Sequence, residues 1–287
     1  MLFHNSPDFV NSYNQQASLG IEREVVSGFT LGVSGIWSRG LKIVRARDDN
    51  LLPAPVSPVL GVRVWSTPYF ANPLLLQDNV YESTGKSYYY GMILEATRRF
   101  SRNLTFHGNY TFSKAIDDVL DYNSDFQAND QTNLRAERSL SAFDQRHKVV
   151  LYGLVSFKDF TLTPIFRANS ARPFNLLAGA DLNSDRHSTT DRPPFAGRNT
   201  GIGPGFWTFD VRLARRFPLG ERRAIEFMAE GFNLLNHLNF ATVNNVVGNI
   251  PGPFNLHGRD DRTPSQPLGF TSAFDSRRIQ LGVRFSF

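Results

Sequence analysis

From Arg277 to Phe287, the residues Ile279, Leu281, Val283, Phe285 and Phe287 alternate without a break with Arg278, Gln280, Gly282, Arg284 and Ser286. A period of two sends successive side chains to opposite faces of a strand, so this one has an oily face and a wet face. The pattern suits a strand of a membrane barrel, with apolar side chains toward lipid, polar ones toward the lumen and a closing aromatic at the interface. For this stretch alone, the edge strand of a sandwich is the alternative.

The same alternation recurs along the chain. Ala17, Leu19 and Ile21 oppose Gln16, Ser18, Gly20 and Glu22; Phe29, Leu31, Val33, Gly35 and Trp37 oppose Thr30, Gly32 and Ser34. Arg39 to Gly85, rich in Pro with an Asp-Asp-Asn cluster, reads as a long irregular connection. Strands are then expected over Tyr88 to Phe100, Leu104 to Ser113, Val149 to Phe157, Phe160 to Ser170, Phe206 to Phe217 and Arg222 to Asn233. Between them short turns alternate with long polar loops, of which Ala115 to Arg146, Ala171 to Gly205 and Leu234 to Ser276 are the longest after the first. Phe100, Phe157, Phe217 and Phe287 fall at the short-turn end, and Trp37, Tyr88, Phe112 and Trp207 near the other. Short periplasmic turns, long extracellular loops and two aromatic girdles are the asymmetry of an outer-membrane barrel, and a sandwich has no reason to sort aromatics this way. The expected fold is therefore all-β, an antiparallel up-and-down transmembrane barrel segment of about nine strands. An odd number should not close alone, which points to the C-terminal part of a larger barrel, the 22-stranded plugged transporters being the natural candidate.

Composition changes this picture little. A hydrophobic content of 41% and a mean hydropathy of −0.30 are what alternation produces, and no window of about 20 apolar residues marks a transmembrane helix. The absence of Cys excludes disulfides and thiolate metal sites. A net charge of +5 comes from scattered arginines without a basic run, so nucleic acid is not an expected partner. Residues 1–8 show neither a basic nor an apolar leader region, so for an exported barrel the chain is expected to be the C-terminal piece of a longer polypeptide.

Several stretches resemble one family. Asn109-Tyr110-Thr111-Phe112-Ser113-Lys114 with Asp117 and Asp118, Phe143-Asp144-Gln145-Arg146-His147, Ser170-Ala171-Arg172-Pro173-Phe174, and Phe232-Asn233 with Asn236-His237-Leu238-Asn239-Phe240 are similar in order and spacing to the Oar-like barrels among the TonB-dependent outer-membrane receptors. Ala171 stands where that family has Gly, and Gln15-Gln16-Ala17-Ser18 lacks a Trp common there. The resemblance spans nearly all of residues 1–287 but includes no plug, no N-terminal domain and no TonB box. It implies an outer-membrane location, uptake of a bulky nutrient (metal chelate, oligosaccharide or peptide) in the full-length protein, and outer-membrane lipid, the missing strands and plug, the TonB complex and an extracellular ligand as partners. A surface-exposed binding or structural module without transport is the alternative.

Candidate chemistry is sparse. Asp181, Asn183 and Asp185 have the spacing of the first three oxygen ligands of a calcium loop, but Arg186 and Arg192 stand where that loop needs Gly and Glu, so a set of Asx turns is preferred to a Ca2+ site. Asp117, Asp118, Asp121 and Asp125 read as solvated loop acids. The six His (His4, His107, His147, His187, His237, His257) lack zinc spacing, and no nucleophile elbow or phosphate loop is present. His107 and Glu95, both inward, could serve a hydrolase; a lumen network with Arg212, Arg216, Arg278, Arg284, Glu226 and Glu230 accounts for them more simply, and no enzyme is expected.

Overall fold

A computed structural model describes residues 1–101, 103–119, 123, 126–187, 189–194, 196–220, 223–247 and 269–287. Among these residues nine long strands form one antiparallel meander: β1 Tyr13–Val26, β2 Phe29–Asp48, β3 Asp78–Ser101, β4 Leu104–Asp117, β5 His147–Phe157, β6 Phe160–Asn169, β7 Phe206–Pro218, β8 Ala224–Phe232 and β9 Arg278–Ser286. Each pairs with its neighbours in sequence, and β1 and β9 are not paired with each other. This is the expected up-and-down sheet, with short turns at one end and long loops at the other. Among the described residues no helix is long and apolar enough to cross a membrane.

Register carries the alternation across the sheet. Val33 lies opposite Leu94, Leu94 opposite Tyr110 and Tyr110 opposite Val149. Farther on, Leu162 meets Leu213, Leu213 meets Ala229 and Ala229 meets Leu281. A slip of one residue anywhere would interrupt these apolar rows, so the shared face fixes the pairing. Among the described residues no second layer covers them: Ile279, Leu281 and Val283 are 59%, 78% and 65% exposed. The other face is polar, with Arg212 opposite Glu230 and Glu226 opposite Arg284. Every backbone N–H and C=O in hydrocarbon needs a partner, and the ladders supply one without a helix.

The turn end shows the local chemistry. At Gly28, between β1 and β2, φ is +72° and an added Cβ would lie 2.7 Å from the Arg99 carbonyl oxygen, so only glycine fits. Just inside that end, Arg98 lies over Phe29 and Phe100, and Arg215 over Phe160 and Phe217, with guanidinium-to-ring distances of 4.4–5.6 Å. Such pairs let outward arginines sit at an interface while their stems cover apolar surface.

One expectation is corrected. Arg39 to Gly85 is not wholly irregular: β2 and β3 run on past Trp37 and Tyr88 as a paired ribbon from Gly40 opposite Ser87 to Asp48 opposite Asn79, with bulges near Ile43. The alternation fades there because both faces meet polar loops, yet the ladder persists because each strand supplies the other's backbone partners. The residues Leu2–Asn5 also add to this ribbon, parallel to Asp78–Tyr81.

Candidate functional site

The long loops converge at one end of the sheet and hold most of the buried side chains. Two small apolar clusters form there, Leu51, Ala54, Trp65 and Phe70 in one and Leu176 with Val247 in the other. Around them lies a polar network. The β2–β3 ribbon contributes Asp48, whose Oδ1 accepts from the N–H groups of Asn50 and Asp78 while Oδ2 lies 3.2 Å from His187 Nε2. Gln77 donates to the other ring nitrogen, which leaves Nε2 to carry the proton toward Asp48. Glu137, in the β4–β5 loop, receives a bidentate bond from Arg192 of the β6–β7 loop at 2.7 and 2.9 Å. Burial alone would raise the Glu137 pKa, but Arg192 and then Arg198 outweigh it and the pKa is lowered. Arg198 ties the same loops further, donating to the carbonyls of Asp117, Val119 and Glu137.

The calcium-spaced residues take part in this packing differently. Asp181 accepts from the Arg186 N–H, Asn183 from that of Asp185, and Asp185 from that of His187. The last two are Asx turns, and in all three bonds a side-chain oxygen satisfies one of the loop's backbone donors. Burial, with Asp191 close by, pushes the Asp185 pKa well above the usual carboxylate range. Among the described residues, no group of three or more His, Cys, Asp or Glu is placed to hold a metal. The two arginines that depart from the calcium pattern are the ones that bind the loops: Arg186 donates to the Leu75 carbonyl and Arg192 holds Glu137.

His107 and Glu95 are not hydrogen-bonded to each other. His107 contacts the Thr97 hydroxyl and stacks on Tyr152, and Glu95 accepts from Asn109. Asp117 and Asp118 are not solvated acids but pair with Arg198 and Arg45. Asp121, Asp125 and His257 lie outside the described residues.

A cavity of about 500 Å3 opens where the β4–β5, β6–β7 and β8–β9 loops meet the outer ends of β6 and β7. Phe174, Phe206, Phe240 and Phe274 line it together with Arg172, Asn169, Gln145 and Asn245. Its walls come largely from the stretches singled out in the sequence. Ser170, Arg172, Pro173 and Phe174 form one side, and Phe174 packs so closely on Gly201 that a Cβ there would sit 2.6 Å from its ring. Phe240 enters through Asn239, whose amide bonds both backbone groups of Trp207, while His237 stacks on the Trp207 ring at 4.1 Å. Asn169 and Phe206 escaped notice because they look like ordinary strand ends. Their only signal is the adjacency of a long loop.

Residues 1–196 and 195–280 match the family described as outer membrane beta barrel domain. No curated protein matches the chain. Among solved structures, the outer membrane transporter YddB from Escherichia coli is similar with a TM-score of 0.62 and 13% identity, over 98% of this chain and 33% of that one. The FrpB iron transporter from Neisseria meningitidis gives 0.53 and 15% over 98% and 32%, and the ferric-catecholate import receptor Fiu from E. coli K12 gives 0.53 and 14% over 98% and 29%. The chain thus spans about a third of the length of these transporters, and at such identities the likeness establishes the fold. With lipid-facing rows on one side, a polar wall on the other and a matching family over most of its length, the chain belongs to the outer membrane beta barrel domain family and resides in the cell outer membrane.

Proposed function

We propose that the chain is the C-terminal wall of a larger barrel, a TonB-dependent transporter of the Oar-like kind, that takes up a bulky nutrient (metal chelate, oligosaccharide or peptide) and is not an enzyme. The observation that carries this reading is the cavity of about 500 Å3 built by three long loops, with four Phe and a ring of amide and guanidinium donors. A concave, mostly apolar site with a few directed polar groups is what a ligand needs for capture before transit. The unpaired edges of β1 and β9 give the remaining strands of the barrel their places, and a plug and the energising complex would come with those parts. The names of the structural neighbours, an iron transporter and a ferric-catecholate import receptor, favour a metal chelate among the three nutrients.

The second reading, a surface module that binds without transport, is favoured by the dense hydrogen bonding of the loops. Accumulation of a radiolabelled ferric chelate, an oligosaccharide and an oligopeptide by cells carrying the full-length protein separates the two. Uptake of one probe that needs TonB, and that Arg172→Ala with Phe174→Ala lowers about tenfold at unchanged outer-membrane level, is expected, since two lost contacts of this kind amount to about 1.4 kcal/mol or more. Binding without accumulation would favour the second reading and overturn the first.

A further inference from the structure

The lipid-facing wall has a feature that the apolar band does not explain. Across β1 to β4 one outward row reads Leu19, Gly35, Met92 and Phe112, and the next row toward the loops reads Ala17, Trp37, Tyr90 and Lys114. At Gly35 an added Cβ would meet no atom within 4 Å. Its φ is not among the positive ones, so neither backbone nor packing requires a glycine there. What the missing side chain leaves is an open furrow of about 600 Å3 between the two rows, almost wholly apolar.

Above the furrow, toward the loops, the same face turns basic. Lys86 and Lys114 are exposed on their strands. Arg39 and Arg138 approach the Tyr88 ring, each guanidinium 5.5 Å from its centre, and Arg135 joins Lys86 and Arg138 in the recess beside it. The two acids of that recess are already engaged, Asp118 with Arg45 at 3.0 Å and Asp117 with Arg198. Among the described residues none of these five cations has an ion pair. The Nε of Arg39 is buried without a hydrogen-bond partner.

An apolar slot with a crown of unneutralised cations, on the lipid side at the level where the apolar band ends, is complementary to one kind of molecule. We propose that this face seats a phosphorylated glycolipid of the outer leaflet, with an acyl chain in the furrow at Gly35 and phosphates against Lys114, Arg39 and Arg138. The charge argument selects the lipid: a zwitterionic phospholipid would fill the furrow and leave the crown unneutralised, whereas phosphates without a counter-charge of their own supply the charge the crown lacks. The site depends on the outer-membrane location and not on whether the barrel transports anything.

The test uses the detergent-purified protein incubated with diphosphorylated lipid A, its dephosphorylated form or phosphatidylethanolamine, with bound lipid counted by native mass spectrometry after detergent exchange. The phosphorylated probe is expected to be retained about a hundredfold over the other two, because each of the three basic residues at the phosphates contributes roughly fivefold. K114Q and R138Q should each lower that preference about fivefold, while Gly35→Leu should lower retention of all three probes. Each variant is first checked for strand content by circular dichroism. Because Lys114 and Arg138 are exposed and make no ion pair among the described residues, those two variants keep the question answerable if Gly35→Leu does not fold. Equal retention of the three probes by the unmodified protein, or a preference that survives both charge changes, would overturn the assignment.

Discussion

The strand wall and the loop cap of this protein are built on opposite solvation rules. In the wall the large apolar residues are outermost, with Leu19 80% and Leu281 78% exposed. In the cap most of the fully buried groups are polar, Asp48 and Asp185 among them. The difference lies in where backbone partners come from. A paired strand satisfies its own N–H and C=O groups, so its side chains are free to match hydrocarbon on one face and water on the other. A loop has no ladder, so Asp and Asn side chains must take up its backbone donors before it can be packed. The Asx-rich stretch from Asp181 to Asp185 is therefore structural: it caps Arg186, Asp185 and His187.

The largest effect should come from the cap. Arg192→Met strands Glu137 as a buried, unpaired charge and should destabilise the loop assembly by about 3–5 kcal/mol. Hydrogen exchange over residues 126–147 and 181–199 is the measurement. The double change with Glu137→Leu should recover most of the loss, since replacing both partners by apolar groups leaves no orphan. Protection that stays unchanged in the single variant would mean that the cap is not held by this pair. On the wall, Leu281→Arg places a charge on the lipid face and should cost about 2–4 kcal/mol in urea titrations of the bilayer-inserted protein if it lies near the midplane, while Gln280→Arg on the wet face should cost far less. Equal costs at the two positions would erase the contrast between the faces.

The smallest of the three effects is a pH dependence confined to the cap. Burial pushes the Asp191 pKa up to about 6, although the N–H groups of Leu182 and Asn183 both donate to its carboxylate. Because the folded cap binds that proton more tightly than an open loop does, the stabilisation is fully present below the ordinary carboxylate pKa. It falls as pH rises and is lost above about 6. Exchange protection of the 181–194 segment should accordingly be greater at pH 5 than at pH 7.5, and Asp191→Asn should reduce the difference, with buried Asp185 carrying the remainder. The wall, whose stability rests on apolar burial in lipid, should show no such step.

Much of the wall was legible in advance because a period of two is local. Each strand declares its own faces, and alternation of short and long connections orders them into a meander; about nine strands were expected, and among the described residues nine form the meander, with two short strands added to the same sheet. The prolongation of β2 and β3 beyond Trp37 and Tyr88 was not legible, since polar residues on both faces of a ribbon look like loop. The cap was less readable still. Arg192 and Glu137 are 55 positions apart and His187 and Asp48 are 139 apart, and a charged residue in a loop reads as solvated until its partner is found.

What the sequence determined by itself is the wall, because strand faces and register follow from residues near one another and from the solvent each face must meet. What only the tertiary structure decided is the company kept at the loop end: which arginine neutralises which acid, which asparagines cap which turns, and how four phenylalanines from distant stretches come to share one cavity. Those pairings depend on loops meeting across the barrel mouth, and the geometry that brings them together is set by the sheet as a whole and by no single stretch of the chain.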